Sequence, residues 1–386
     1  MEISSKTVEG TCQQMCSRKE MIMRENERLL HPLEMLTICD DNLSTNSRCL
    51  KADPSRVVKQ FSRPAAGRAE ADPSDLRPAP VLRETVTYLF ESILPRDNPA
   101  WSSIYEFVFD RLRAVRQDMV IQGISGSDAI CLLEQIVRFH VYASYRLRDS
   151  AVTVFDPVIN KQHLLECLKR LLYLYQVMPG RHVNQPEFES VYLLSNLGDT
   201  HALTHFLDLK PDVRKHLLIQ QCYEISQAYV SRNYTRALKL ISQLPCAMCL
   251  CAVNPHRNTL QINYLQILSA GYSVKNCRFP VSQLRRLLQL QSDDETLTLC
   301  SRCGLTDLFD NTSTDSICFN RAAFSYPKQS ETPAALPELD RILKQTSISS
   351  LLLGKTPGGM GVKDTERTPK TIGRGQGRGR RQQQNN

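Results

Sequence analysis

Arg111-Leu-Arg-Ala-Val-Arg-Gln-Asp118 lies within a run, Trp101 to Gln122, whose apolar residues recur at helical spacing. Trp101, Ile104, Tyr105, Val108, Leu112, Val115 and Met119 share one face, which predicts a long helix with one buried side. The arginines Arg111, Arg113 and Arg116 and the acids Glu106, Asp110 and Asp118 are expected to leave it on other sides.

Outward from this helix, residues 81–271 read as consecutive helices joined by short breaks. Val81 to Ile93 precedes it. Ser127 or Asp128 is expected to cap the next, with Ile130, Leu133, Val137 and Val141 on one face. Asn160 is expected to cap a fourth, ended by Pro179-Gly180. Pro186 and Pro211 suit first-turn positions of helices running to Leu197 and Tyr229. Asn233 to Leu244 and Thr259 to Ala270 complete a predicted all-α, TPR-like solenoid. Residues 272–330 change character. Val281, Leu284 and Leu288 mark a short helix, and Ser292-Asp-Asp-Glu295 is a capping box opening another, closed by Gly304. Asp315 to Tyr326 reads as two short strands about Asn320-Arg321. Helix, helix, hairpin is the order of the later part of a winged helix.

Residues 1–80 read as an extended arm laid over the helices. Ser17 to Met35 holds a charged surface helix candidate, with Met21, Arg24 and Arg28 among Glu20, Glu25 and Glu27. His31-Pro32, Asp53-Pro54, Arg63-Pro64 and Asp72-Pro73 favour extended backbone around it. Residues 331–386 read as tail. It ends in Gly373-Arg-Gly-Gln-Gly-Arg-Gly-Arg-Arg381 and a Gln/Asn run, too polar to fold alone. The net charge of +8 sits mainly there: residues 355–386 carry +6, leaving +2 for the rest. A nearly neutral body argues against strong nucleic-acid binding by charge alone. With 41% apolar and 23% charged residues the composition is that of a globular protein. No run approaches the ~20 apolar residues of a membrane span, and the first residues lack a secretory apolar core. The expected setting is cytosol or nucleus, where the fourteen cysteines stay thiols.

Two further stretches accompany the opening helix: Gly10-Thr-Cys-Gln-Gln-Met-Cys16 and Val58-Lys-Gln-Phe-Ser-Arg-Pro-Ala-Ala-Gly67. In this order, together with Leu133-Glu-Gln-Ile-Val-Arg-Phe-His140 and Phe155-Asp156, they resemble the Sac-three/GANP family from about Gly10 to Tyr326. The resemblance implies a PCI-type helical solenoid ending in a winged helix. It also implies a non-enzymatic scaffold that pairs with a second PCI-type protein and a small acidic stabilising subunit. Ser17 stands where a proline is usual. Pro64 stands where a serine is frequent, as in the short animal branch, which is associated with centrosome duplication, the spindle and mitosis. The wider family serves messenger-RNA export, the alternative role. The chain opens close to its first signature, so the upstream Phe-Gly-rich region of larger members and their pore docking are not expected here.

The signature residues carried by the resemblance are Gly10, Thr11, Cys12, Met15 and Cys16, then Lys59, Arg63, Ala65, Ala66 and Gly67. On the long helix they are Asp110, Arg111, Arg113, Arg116, Gln117 and Asp118, and on the next Arg138, Phe139 and His140. The charged set is expected to lock the arm to the solenoid, with phosphate contact as the alternative. No phosphate loop, HExxH or Gly-x-Ser-x-Gly motif occurs, and a lone His140 is expected to be structural. Cofactors, catalytic residues and a small-molecule substrate are therefore not expected. Cys246-x-x-Cys249-x-Cys251 and Cys300-x-x-Cys303 are expected as packed thiols, with structural zinc the alternative. Lys275, Arg278, Arg285 and Arg286 form a modest basic patch beside the expected winged helix. Arg374, Arg378, Arg380 and Arg381 offer salt-sensitive RNA contact. Phe319 and Phe324 are the expected partner edge of the wing.

Overall fold

The computed structural model describes residues 8–36, 51–63, 72–274, 277–305, 316–327 and 335–355. It is mostly helical. After α1 (Arg18–Asn26) and a 3-10 turn at Pro32–Glu34 the chain enters α2 (Ala79–Tyr88), which continues as a π-turn over Leu89–Ile93. Then follow α3 (Trp101–Ile121), α4 (Gly126–Arg146), α5 (Pro157–Val177), α6 (Gln185–Ser195), α7 (Thr200–Asp208) and α8 (Pro211–Arg214). Next come α9 (Leu217–Val230), α10 (Tyr234–Ile241) and α11 (Ala247–Gly271). Beyond them lie β1 (Phe279–Pro280), α12 (Val281–Leu288), α13 (Asp293–Arg302) and β2 (Ser316–Ile317). Two last helices are α14 (Pro337–Gln345) and α15 (Ile348–Leu353).

The apolar face of α3 is where its spacing put it: Ile104, Val108, Leu112, Val115 and Met119 are buried. Arg111 and Asp118 are buried as well, so the charged residues do not all leave toward solvent. The centre of the body is α4, buried on nearly every side, including its polar Glu134, Gln135, Arg138 and His140. A helix without an exposed stripe must be covered all round, and α2, α3, α5, α11 and α15 cover it. From α5 the contacts run to α6, from α6 to α9 and from α9 to α10. The 25-residue α11 then returns across α10, α6 and α4. It holds Pro255 in its interior, where a backbone donor is lost; Pro255 itself is exposed, while Asn254 and Arg257 on either side of it are buried.

Several expectations need correction. Arg24, read as a surface residue, is 1% exposed, and α1 stops at Asn26. The N-cap of α4 is Ser125, two residues before Ser127 and three before Asp128. Asp156, not Asn160, caps α5, accepting from the Val158 and Ile159 amides; Asn160 lies one turn inside and is buried. Pro211 opens only the short α8, and α9 starts anew under a His216 cap. The first half of α11 was not seen in sequence, because Pro255 and the Cys246 to Cys251 run hid a helical period. Only one half of the expected hairpin is a strand. Ser316–Ile317 pairs antiparallel with Phe279–Pro280, before α12, and residues 321–323 form a turn.

Part of the expected tail is also structured. Leu336, Leu339, Leu352 and Leu353 are buried, and α14 and α15 lie against α11, α4 and the π-turn. The Tyr145 hydroxyl donates to Asp340 (2.8 Å) and accepts from the Leu336 amide (3.1 Å). Ser349 Oγ donates to the Phe90 carbonyl at 2.7 Å, and Lys355 pairs with Glu91 at 2.8 Å. The segment is a clasp that adds to the cover of α4 given by α2, α3, α5 and α11.

Candidate functional site: the ion-pair seam between arm and α3

Two fully buried carboxylates organise the arm. Glu34 accepts from the Arg111 guanidinium of α3 at 3.1 Å, from the Val58 amide at 3.0 Å and from the His31 amide at 3.2 Å, and is ion-paired with Arg24. Arg24 also donates to the Val58 carbonyl at 3.0 Å. Asp118 of α3 accepts from Lys59 at 2.6 Å and from Arg77 Nε at 2.8 Å. Lys59 in turn donates to the Asp75 carbonyl, and Arg77 to the Met15 carbonyl. A buried carboxylate is tolerated only when its lone pairs are filled by well-placed donors, and both meet that condition.

Backbone contacts extend the seam to the first signature. The Gly10 amide donates to Gln122 Oε1 at 2.9 Å, and Gln122 Nε2 donates to the Arg77 carbonyl at 2.8 Å. A Cβ at Gly10 would stand 2.4 Å from the Leu76 carbonyl oxygen, so only glycine lets the strand approach. The Thr11 and Cys12 amides donate to the Pro73 and Leu76 carbonyls, and the Lys59 amide to Met15. At the other end Phe61 donates its amide to Asp110, Gln117 donates to the Ser62 carbonyl, and Arg113 stacks on the Phe61 ring at 3.7 Å. Cys12 and Cys16 are buried thiols donating to nearby carbonyls, and Cys16 packs with Leu30, Ala52 and Val57. Burial pushes the Cys16 thiol up. Ser17, where a proline is usual, caps α1 by accepting from the Glu20 amide.

The remaining signature residues stand apart. Arg116 points away from the arm, to His163 Nδ1 (2.9 Å) and Glu166 (3.0 Å). Arg138 makes two 2.8 Å bonds to Glu187 and lies over Phe188. Phe139 is core, stacked on Phe90 and Tyr105. His140 Nδ1 donates to Asn160 Oδ1 at 2.8 Å, and the Asn160 amide nitrogen donates back to the His140 carbonyl. Burial drives the imidazole down to about 3, so it is a neutral structural group. Arg63 is exposed; Ala65, Ala66 and Gly67 lie outside the described residues. Sequence reading missed Glu34, Arg77 and Gln122, and gave Arg24 the wrong role. Arg77 precedes Pro78 in a segment read as extended, and Glu34 follows His31-Pro32 near the end of the Ser17–Met35 helix candidate.

The other expected sites resolve differently. Arg285 and Arg286 line a cleft of about 550 Å³ between α10, α12 and the start of the clasp, with Lys239, Arg257 and Glu338. Arg285 pairs with Asp293 at 3.3 Å, so the acids opening α13 offset part of the patch. Arg278 is exposed and does not line this cleft. Lys275, Arg374, Arg378, Arg380 and Arg381 lie outside the described residues. Phe319, expected at an open edge, is 3% exposed and packs on Phe279 and Tyr272. Phe324 is half-buried, in a turn held over Gly304 and tied through Tyr326 to Gln266. Cys300 and Cys303 are wholly buried. Among the described residues no three His, Cys, Asp or Glu side chains are arranged to hold a metal ion. No described helix is long and apolar enough to cross a membrane.

The sequence profile of the SAC3/GANP family matches residues 15–307. The chain belongs to the SAC3/GANP family. It is 25% identical to SAC3 family protein 1 of Schizosaccharomyces pombe over 371 residues, covering 91% of this chain and 34% of that protein. It is 27% identical to Protein xmas of Drosophila melanogaster over 314 residues, 78% of this chain and 15% of that one. SAC3 family protein B of Arabidopsis thaliana is 25% identical over 303 residues, 74% and 17% respectively. The chain thus spans about a third or less of the length of these relatives.

Two expected outcomes follow from this geometry. Glu34→Gln leaves two buried guanidiniums facing a neutral amide and should cost about 3–5 kcal/mol in urea unfolding; a loss under about 1 kcal/mol would mean the pair is solvated in solution. His140 remains neutral to about 3, whereas the unfolded imidazole protonates near ~6.5. The unfolded chain therefore binds the extra proton, and stability present above ~6.5 falls by about 1.4 kcal/mol per pH unit below it. Melting curves of His140→Gln should show a shallower acid slope between pH 6.5 and 5 than the unaltered chain. Parallel slopes would remove His140 from the account.

Proposed function

We propose that this chain is a non-enzymatic scaffold of PCI type, acting in centrosome duplication, spindle assembly and mitotic progression. The observation that carries the scaffold reading is how the signature residues are used. Four cations, Arg24, Lys59, Arg77 and Arg111, meet four carboxylates, Glu20, Glu34, Asp110 and Asp118, inside the arm–α3 seam. The charges are spent on holding one segment of the chain against another. What such a site does is present a preformed surface, which lowers the ordering cost of binding a partner.

The order of elements supports a terminal winged helix. A long helix is followed by β1, α12, α13 and β2, with β1 paired to β2 across the two helices. Stacked helices ending in that order are the PCI architecture, and a second PCI-type protein with a small acidic subunit are the partners the resemblance suggests. The mitotic setting rests on Arg63-Pro64, which resembles the short animal branch. The basic run ending at Arg381 and the wider family favour a second reading, an adaptor in messenger-RNA export that touches RNA through Arg374, Arg378, Arg380 and Arg381. Cytoplasm, centrosome and spindle are the locations the first reading implies; the nucleus suits the second.

Imaging the tagged full chain through the cell cycle separates the two. Foci at spindle poles during mitosis are expected. A steady nuclear-rim or nucleoplasmic signal, with no mitotic foci, would overturn the first reading in favour of the second.

A further inference from the structure

The cleft of about 550 Å³ beside α12 is walled by three units: α10, α12 with the loop after it, and the first residues of the clasp. Arg257 of α11 lines it from the core side. It is 3% exposed and donates to the Gln289 carbonyl at 3.1 Å. One turn on, Gln261 donates to the Leu288 carbonyl at 2.8 Å. These bonds hold the end of α12, where Gln289 is left-handed, and so fix one wall. Leu336 and Glu338 make another wall, placed by the Tyr145 hydroxyl through the Leu336 amide.

The lining carries four cations, Lys239, Arg257, Arg285 and Arg286, against one carboxylate, Glu338. Arg285 is partly matched by Asp293 at 3.3 Å. Lys239 and Arg286 are exposed, and neither has a carboxylate partner among the described residues. Burial lowers the pKa of the Arg257 guanidinium, with Glu338 and Glu295 opposing the shift. An anion brought here restores the balance of charge. Leu238, Ile241 and Leu336 make part of the lining apolar, which strengthens that attraction. The remaining polar side chains, Thr235, Ser242, Gln283, Gln289 and Gln291, are neutral donors and acceptors suited to hydroxyl groups. None of the lining residues is aromatic. The cleft therefore offers no ring on which a nucleic-acid base can stack.

We propose that this cleft binds a compact polyol carrying several phosphates, of the inositol phosphate class. The three guanidiniums present forked donors to phosphate oxygens, and Lys239 adds a point charge. The amide and hydroxyl side chains take the ring hydroxyls. The volume falls within the ~300–1,000 Å³ of small-molecule pockets. A bound ligand touches α10, α12 and the start of the clasp together, and the site shares no residue with the arm–α3 seam.

The test is calorimetric titration of the full chain with inositol hexakisphosphate at near-physiological salt. Binding at a single saturable site is expected. Lys239→Glu combined with Arg286→Glu, both at exposed positions, should weaken it by about a hundredfold with the circular dichroism unchanged. The same change of charge at the exposed Lys161 and Lys169 should leave the affinity within about twofold. Replacing Arg374, Arg378, Arg380 and Arg381 by glutamine should preserve the site. Phosphatidylcholine vesicles bearing phosphatidylinositol bisphosphate identify the source of the phosphates. Sedimentation with them that the double variant loses assigns the site to a lipid headgroup, and none assigns it to the free molecule. Titration without saturable binding, an affinity unaltered in the double variant, or binding lost with the tail arginines would overturn the proposal. So would tighter binding of a single-stranded oligouridylate that the double variant loses, which would give the cleft to RNA.

Discussion

A carboxylate taken wholly out of water costs several kcal/mol unless its oxygens are filled by donors. Glu34 is such a group, and its donors come from three places in the sequence. Arg24 belongs to α1, the Val58 amide to the returning arm, and Arg111 to α3. None of the three can be withdrawn without stranding the others. Asp118 repeats the arrangement about two turns beyond Arg111 on α3, gathering Lys59 and Arg77. The arm's apolar contacts are few: Cys16, Leu30, Ala52 and Val57 make a small cluster, and Leu33 and Val58 reach the main core. Its position is set by these together with polar complementarity to α3 and the close backbone approach at Gly10.

Below that seam the body is held in the ordinary way. The central α4 is covered on all sides, and the long α11 crosses back over α6 and α10 so that the row of helices closes on itself. Residues 335–355 cover what remains of α4, using four buried leucines and the Tyr145 hydroxyl as a two-way hydrogen-bond partner. The two ends of the described chain thus serve one purpose, on different faces. The arm is held against α3 and the clasp against α4.

Periodicity made α3 legible, because its buried face is aliphatic and its polar faces are not. The same rule failed on α11. There Pro255 and three cysteines interrupt the pattern, although the helix runs on through the proline. Asn160 looked like a cap because asparagine commonly is one, whereas Asp156, next to the helix-opening Pro157, takes the role and frees Asn160 to hold His140. At the seam the sequence showed half of each pair. Arg111, Asp118 and Lys59 stood in recognisable signatures, while Arg77 lay in a proline-rich segment without period, Glu34 near the end of the Ser17–Met35 helix candidate and Gln122 at the end of the Trp101–Gln122 run, with nothing local to mark a partner. Pairing across 77 residues, as between Glu34 and Arg111, leaves no local trace. Arg285 and Arg286 stand together in the sequence, but their closeness to Lys239 and Glu338 depends on how α10 and the clasp meet α12.

The central claim is that arm and α3 form one cooperative unit through these carboxylates. Native-state hydrogen exchange tests it at three amides of the seam: Gly10, donating to Gln122 at the end of α3, Val58, donating to the Glu34 carboxylate that Arg111 holds, and Phe61, donating to Asp110. The account predicts that Val58 exchanges only with global unfolding, at the rate of the buried amides of α3 and α4, and that Gly10 follows closely. Exchange of Val58 faster by about a hundredfold or more, with α3 still protected, would show the arm lifting off by itself and would contradict the account.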